Sequence, residues 1–256
     1  MDQSLKKTSV CHDDVLAELL DRIEEVDFRE KLKIQNDQKP SRTQIRIAVV
    51  QYVIEAAKRN NSGFSERNFN FYLYNGAYWK IIEHVELKNF LGLASSRMKV
   101  TWVLGRDYKF REELLRQCIS DTFVAKIRRS KSETVLINLL NGTYEITKDG
   151  NFLRNFNSKD FLTYQLPFRF EASAKAPKFD NFLKEVLPDK NSQLVLSEFL
   201  ASSFLTNDIL KLEKALLLYG SGANGKSVIY EIVLALFGNE NITNYSLGNL
   251  MNETGY

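Results

Sequence analysis

The sequence predicts an α+β fold: a helical, hairpin-containing N-terminal region, an irregular middle segment, and an incomplete P-loop α/β unit near the C-terminal end. Three observations lead to this class. Apolar residues recur at helical spacing in several segments, and two Asn-Gly pairs separate aromatic or apolar runs. A single glycine-rich phosphate-binding motif follows them.

Two helices are predicted before the first hairpin. Residues 13–33 place apolar side chains on one face and many carboxylates on the other, the pattern of one amphipathic helix. Pro40-Ser41 interrupts this pattern, and a second helix follows at about residues 43–58. The turn-forming residues 60–63 end that helix.

Two hairpins and three more helices follow. Asn75-Gly76 separates the runs 69–74 and 77–82, and Asn141-Gly142 separates the runs 135–140 and 143–146; such pairs favour hairpin turns. Helical spacing places the remaining helices at about 86–98, 111–127 and 191–205. Three of the four prolines lie in residues 156–188, which indicates a linker or collar and not a sheet core.

The composition is typical of a soluble globular protein, with 44% hydrophobic and 26% charged residues in a chain of 256. No apolar stretch approaches the ~18 residues of a membrane span, and residues 1–14 lack a signal-peptide core. We therefore expect a cytoplasmic protein with no membrane partner. Two cysteines make no disulfide framework, and Cys118 is expected in the core because it shares an apolar helical face.

Positive charge is concentrated in residues 41–131, which carry 17 basic and 8 acidic residues, a net of +9 against +3 for the whole chain. This excess makes the segment a candidate nucleic-acid surface, although an ordinary solvated face explains the charge equally well. The densest basic cluster is Lys126, Arg128, Arg129 and Lys131.

Aromatic residues near these cations have two interpretations. Tyr72, Tyr74, Tyr78 and Trp79 are close in sequence to several Lys and Arg residues and could stack on unpaired bases. For any single ring, however, a place in the core of an α+β domain is the more probable outcome.

The strongest functional signal is the P-loop motif G-x-x-x-x-G-K-[ST]. Its eight residues are Gly220, Ser221, Gly222, Ala223, Asn224, Gly225, Lys226 and Ser227. An apolar run, residues 215–219, predicts a buried parallel strand before it, and residues 229–237 predict a helix after it that Gly238 ends.

The chemistry of the motif explains its residue types. Glycines let successive backbone N–H groups point at phosphate oxygens, and the helix N-terminus adds the positive end of its dipole. Lys226 is expected to contact the β- and γ-phosphates, and the Ser227 hydroxyl is expected to be a Mg²⁺ ligand. These two residues are the predicted catalytic groups.

Several segments together resemble the collar and motor of phage, plasmid and poxvirus primase–helicases. The segments are Ile137-Asn138-Leu139 with Asn141-Gly142, Leu162 to Pro167, Pro177 to Leu183, and the P-loop itself, whose form is similar to that of superfamily-3 helicases. The resemblance covers about residues 132–256, and residues 1–131 give only a generic match to the region that precedes the collar.

This resemblance implies an ATP-dependent replicative DNA helicase of a mobile element, with ATP and Mg²⁺ as cofactors. Its partners would be single-stranded or origin DNA and further copies of the chain, in a hexameric ring for the full-length protein. The implied domains are an N-terminal helix (1–40), a basic α+β domain (41–131), the collar (132–205) and the beginning of the ATPase domain (206–256).

The sequence departs from this family after the P-loop. No apolar strand ending in an acidic pair, the Walker-B element, is found after Ser227, so we expect a truncated motor domain that is inactive alone. No cluster of acidic residues indicates a primase site. The alternative interpretation is a non-catalytic DNA-binding or oligomerisation module with a vestigial P-loop.

Overall fold

A computed structural model describes residues 11–34, 38–122, 134–205, 209–222, 224–246 and 248. The chain divides into an N-terminal unit, Met1–Arg128 with Phe156–Thr163, and a C-terminal unit, Arg129–Asn155 with Tyr164–Tyr256. Each combines α-helices with a three-stranded antiparallel sheet, so the predicted α+β class is confirmed. The finer boundaries at residues 40, 131 and 205 stay predictions. No helix in the described ranges is both long enough and apolar enough to cross a membrane.

The N-terminal unit packs helices against one small sheet. Its described helices are α1 (His12–Asp21), α2 (Phe28–Lys31), α3 (Arg42–Arg59), α4 (His84–Arg97), α5 (Trp102–Arg106) and α6 (Tyr108–Thr122). Its strands are β1 (Gly63–Arg67), β2 (Asn70–Tyr74) and β3 (Trp79–Ile81), in that order across the sheet. The core lies where α3, α4 and α6 meet, around Val49, Leu91 and Leu114, all fully buried.

The C-terminal unit has a second sheet and a cluster of three helices. The strands are β4 (Val135–Leu139), β5 (Gly142–Thr147) and β6 (Gly150–Arg154), paired in chain order. The helices are α7 (Pro177–Val186), α8 (Lys190–Ser202) and α9 (Lys226–Phe237), and one buried residue from each, Leu183, Leu196 and Ile229, forms their shared core.

Side-chain caps explain where several helices begin. The Ser41 hydroxyl accepts from the Gln44 N–H while the Gln44 side chain accepts from the Ser41 N–H, a reciprocal pair that starts α3 directly after Pro40. The prediction of one helix over residues 13–33 was wrong. Asp27 accepts from the N–H groups of Arg29 and Glu30, which starts a separate short helix after a non-helical break.

Both predicted hairpins form: the first turn contains Asn75-Gly76 but is longer than expected, and the second is displaced from Asn141-Gly142. In the first, Tyr74 pairs with Trp79, so the connection has four residues, and the Asn75 carboxamide oxygen accepts from the N–H groups of Ala77 and Tyr78. In the second, Leu139 pairs with Gly142, which places the turn one residue earlier than predicted. Strands β1 and β6 and helices α5 and α7 were not predicted; α7 lies in the stretch expected to be irregular.

The strand predicted at residues 215–219 does not form. Residues 210–220 have no regular secondary structure, and the Leu217 and Tyr219 side chains are 84% and 94% exposed. A parallel strand is stable only when neighbouring strands pair with its backbone, and none does so among the described residues.

The irregular segment 164–170 runs beside β4 and is bound to it through backbone and side-chain hydrogen bonds. The Leu166 N–H donates to the Asn138 carbonyl and the Leu140 N–H to the Phe168 carbonyl. The buried Asn138 side chain donates to the Tyr164 carbonyl at 2.9 Å. Leu166, only 1% exposed, is the apolar anchor of the segment.

The Asn141 side chain fastens the far end of the same segment. Its carboxamide accepts from the Phe170 N–H at 2.9 Å and donates to the Phe170 carbonyl at 3.0 Å. This double contact explains why the β4–β5 turn is displaced. Because the Asn141 side chain binds the neighbouring segment, the turn ends at Asn141, and Gly142, with φ +148°, is the first residue of β5.

We expect Asn138→Ala to lower the free energy of unfolding of the C-terminal unit by about 2 kcal/mol, because the Tyr164 carbonyl would lose its donor and the buried Thr143 hydroxyl would lose its acceptor. Urea denaturation measures this change. Asn155→Ala is the matched control: its side chain is exposed, and its effect should stay within about 0.5 kcal/mol. Equal effects of the two substitutions would contradict the role assigned to Asn138.

The two cysteines should react at very different rates with a thiol reagent. Cys11 is exposed, whereas burial raises the pKa of the Cys118 thiol to about 12, so almost no reactive thiolate forms there near neutral pH. We expect one fast-reacting thiol in the folded chain and two in denaturant, counted with an aromatic disulfide reagent. Rapid labelling of both in the folded chain would show that the core around α6 opens readily.

Candidate nucleotide-binding site

The P-loop residues form a loop that passes directly into α9. Gly225, with φ +82°, immediately precedes the helix, and its carbonyl accepts the helical hydrogen bond of Ile229 at 3.0 Å. The left-handed conformation at Gly225 is one that glycine adopts without strain. The predicted helix after the loop therefore forms, while the strand expected before the loop does not. Ala223 lies outside the described residues.

The Lys226 ammonium group reaches back across the loop. It donates to the carbonyls of Gly220 at 2.9 Å and Ser221 at 3.0 Å, and to the side-chain oxygen of Asn224 at 2.6 Å. This geometry places a positive charge at the centre of the loop, where a phosphate group would need it. A bound phosphate would have to replace these three oxygens as hydrogen-bond acceptors.

Ser227 occupies the first turn of α9 and is exposed. Its hydroxyl is available to a Mg²⁺ ion bound to phosphates, which fits the predicted role. Within the described ranges, no three Asp, Glu, His or Cys side chains lie close enough together to hold a metal ion.

Helix α7 packs against the loop at Gly225. A Cβ atom at this position would lie 2.7 Å from the Val186 Cγ1 atom and 3.1 Å from the Phe182 ring. Glycine is therefore required here for two reasons, the backbone conformation and the close approach of α7. The sequence signal for this contact was the periodic apolar pattern of residues 179–187, which was not interpreted as a helix.

A cavity of about 440 Å³ adjoins the loop. Apolar side chains line most of it, from the end of α7, from α8 and from residues 216–219. Its polar lining comes from Asn191 and Ser192 of α8 and from Asn224 and Lys226 of the loop. Its size lies within the usual range for small-molecule sites, and a largely apolar lining with a lysine at the loop suits a ligand with an apolar ring and a charged group.

The other end of α9 contacts the irregular segment 164–170. Gly238 lies close to the Pro167 ring, since a Cβ atom added at Gly238 would be 3.5 Å from two of its carbon atoms. The Asn241 side chain donates to the carbonyls of Gln165 at 3.3 Å and Phe237 at 2.8 Å. Both ends of α9 are thus fixed by segments that were quoted for the family resemblance, and no local sequence signal predicted these contacts.

The sequence-predicted nucleic-acid residues fall in two groups. Lys126, Arg128, Arg129 and Lys131 lie outside the described residues. Of the four aromatic residues considered, Tyr74 and Trp79 are buried, and the Trp79 ring stacks on Phe161 at 5.1 Å. Burial also raises the Tyr74 pKa to about 12, so these two rings belong to the interior of the N-terminal unit. Tyr72 and Tyr78 are half-buried.

Comparison with protein-family models gives one match. A model described as D5 N terminal like matches residues 51–188, more than half of the chain. The chain belongs to this family. A search of curated proteins finds no match to the chain.

The family match supports the resemblance at a coarse level. The domain is found in phage and plasmid primase–helicase proteins, and it covers β4, β5, the segment 164–170 and α7. The P-loop lies after the matched residues, so its function rests on its own geometry.

Gly225→Ala tests whether the contact between α7 and the loop excludes a side chain at this position. We expect the variant to weaken α9 docking by at least about 1 kcal/mol, because a Cβ atom there meets α7 and the positive φ is strained. Amide hydrogen exchange in α9 measures the loss. Gly222→Ala is the control, since a Cβ atom at Gly222 would have nothing within 4 Å. Unchanged exchange in the Gly225 variant would mean that α7 and the loop do not constrain each other.

Proposed function

We propose that this chain is the N-terminal part of an ATP-dependent replicative DNA helicase of the primase–helicase type, from a phage, plasmid or other mobile element. The observation that carries the proposal is the P-loop motif of residues 220–227 followed by helix α9, in a chain whose residues 51–188 match the D5 N terminal like family. In the intact protein, ATP hydrolysis at subunit interfaces of a ring would drive movement along single-stranded DNA.

The residues of the loop have defined roles in this proposal. The loop N–H groups and the Lys226 ammonium would hold the phosphates, and the Ser227 hydroxyl would bind Mg²⁺, which supplies charge neutralisation when bound. Asn224 has a further role, because its side-chain oxygen accepts a hydrogen bond from the Lys226 ammonium and so orients it over the loop. The apolar cavity beside the loop would receive the base.

Substitution of Lys226 is the sharpest test, because its positive charge is expected to bind the negatively charged phosphates. We expect Lys226→Ala to weaken binding of a fluorescent ATP analogue with Mg²⁺ at least tenfold, because a charge-assisted hydrogen bond contributes about 1.5–3 kcal/mol. Fluorescence titration measures the affinity. Lys214→Ala, an exposed lysine that precedes the loop, should bind normally.

Hydrolysis should stay at background in the same samples. Positioning of the phosphates, the metal and the attacking water supplies most of the catalysis in phosphoryl transfer, and only Lys226 and Ser227 are identified here. Release of inorganic phosphate measures turnover. Turnover in the wild type that disappears in Lys226→Ala would contradict this expectation. It would mean that residues to which we assign only a structural role supply the remaining catalytic groups.

Two observations favour the alternative, a DNA-binding or oligomerisation module with a vestigial P-loop. Residues 215–219 form no strand, and Lys226 is bound to oxygens of its own loop. ATP binding that is equal in the wild type and Lys226→Ala would favour this module over the helicase.

A further inference from the structure

Two aromatic side chains of the N-terminal unit lie largely in water. Trp102, the first residue of α5, is 74% exposed, and Tyr108, the first residue of α6, is 73% exposed. Val103 between them is also exposed. Large aromatic side chains are usually buried to a considerable extent, so this group of exposed apolar surface needs an explanation.

The corner between α5 and α6 is rigidly held. The Gly105 N–H donates to the Thr101 carbonyl at 3.0 Å, and the Gly105 carbonyl accepts from the Arg111 side chain at 2.8 Å. Gly105 is buried against α4, where an added Cβ atom would lie 3.0 Å from the Ser96 hydroxyl. The exposed rings are therefore presented by a fixed backbone.

Asp107 fixes the junction between the two helices. It accepts from the Lys109 N–H at 3.1 Å and forms an ion pair with Arg42 at 3.0 Å. Its backbone N–H donates to the carbonyls of Val103 and Leu104. This carboxylate pairs with Arg42 of α3 and forms no ion pair with Arg106 or Lys109.

Two cations accompany the exposed rings. Arg106 lies four residues after Trp102, on the same face of α5, and the Lys109 ammonium lies 6.0 Å from the Tyr108 ring centroid. Neither forms an ion pair with a described residue. In contrast, several other cations of this unit do have carboxylate partners: Arg42, Arg46, Lys88, Arg97, Lys99 and Arg116.

We propose that Trp102, Arg106, Tyr108 and Lys109 form a binding surface for single-stranded DNA, in which the rings stack on bases and the cations contact phosphates. This inference rests on the proposed function for the class of ligand, and goes beyond it in assigning the surface. Charge and aromatic surface identify the ligand: cations without ion-pair partners beside exposed rings complement a polyanion that also carries stacking bases. Such a combination binds single strands with little sequence preference.

The structure thus places the stacking surface away from the aromatics first considered. Tyr74 and Trp79 are in the interior, while Trp102 and Tyr108 are accessible. Exposure at a fixed corner is what a stacking platform requires, because the rings lose little conformational freedom when a base binds.

Binding of the full chain to a fluorescent oligothymidylate of about 20 nucleotides tests the surface directly. We expect Trp102→Ala and Tyr108→Ala each to weaken binding about tenfold, which is within the usual contribution of one stacked base. Phe69→Ala is the matched control, since Phe69 is another exposed ring of the same unit, and its affinity should be unchanged. Thermal melting checks that each variant stays folded.

Tryptophan fluorescence provides a readout that lost stability would not mimic. The chain has two tryptophans, and the buried Trp79 donates its indole N–H to the Ser158 carbonyl, so a stacked base should quench Trp102 alone. Trp102→Phe should bind within a few-fold of wild type but lose this quenching. In Arg106→Gln and Lys109→Gln, the slope of log affinity against log salt should become shallower by about 0.7 for each phosphate contact removed.

Three outcomes would contradict the proposed DNA-binding surface. If wild type and the alanine variants bind the oligonucleotide equally, the surface is wrong while the proposed function stands. If the wild type binds the ATP analogue but not the oligonucleotide, the surface fails together with the DNA-binding part of the proposed function. If the variants change the oligomeric state and leave DNA affinity unchanged, this corner binds a protein.

Discussion

The C-terminal unit depends on a single constraint: an irregular segment is buried against a sheet, and its backbone must still form hydrogen bonds. Residues 164–170 have neither helical nor strand bonds of their own, yet Leu166 is almost completely buried. Asn138 and Asn141 meet this need from β4 and the β4–β5 turn. An unsatisfied buried carbonyl or N–H group costs about 1–3 kcal/mol, so these two asparagines matter more than their size indicates.

This constraint extends to the candidate nucleotide site. The segment 164–170 contacts the C-terminal end of α9 through Pro167 and Gln165, and α7 contacts its N-terminal end at Gly225. The loop therefore has a fixed position even though no strand enters it. The apolar surface of α9 is covered on one side by α7 and α8, and the adjoining cavity lies beside residues 216–219.

In the N-terminal unit, the net charge alone does not show which cations are available to bind a polyanion. A net of +9 over residues 41–131 already counts the carboxylates of that segment, and carboxylates from outside it, Asp21 beside Arg97 and Glu25 beside Lys99, offset part of the remainder. Surface pairs of this kind contribute little stability, about 0–1 kcal/mol each, but they lower the charge available to a polyanion. Arg106 and Lys109 form no ion pair with a described residue, and they lie beside two large exposed rings, Trp102 and Tyr108.

The sequence by itself determined the class of the fold, the main helices α3, α4, α6, α8 and α9, and the existence of two hairpins. These features depend on spacing within one segment, on the Ser41 cap and on the glycines that a P-loop requires. The tertiary structure decided the rest. It displaced the turn at Asn141, because that side chain binds Phe170, and it left residues 215–219 without strand pairing, because a parallel strand exists only with neighbours. It also decided which aromatic rings are accessible, since Trp79 and Trp102 differ not in residue type but in what the folded chain places over them.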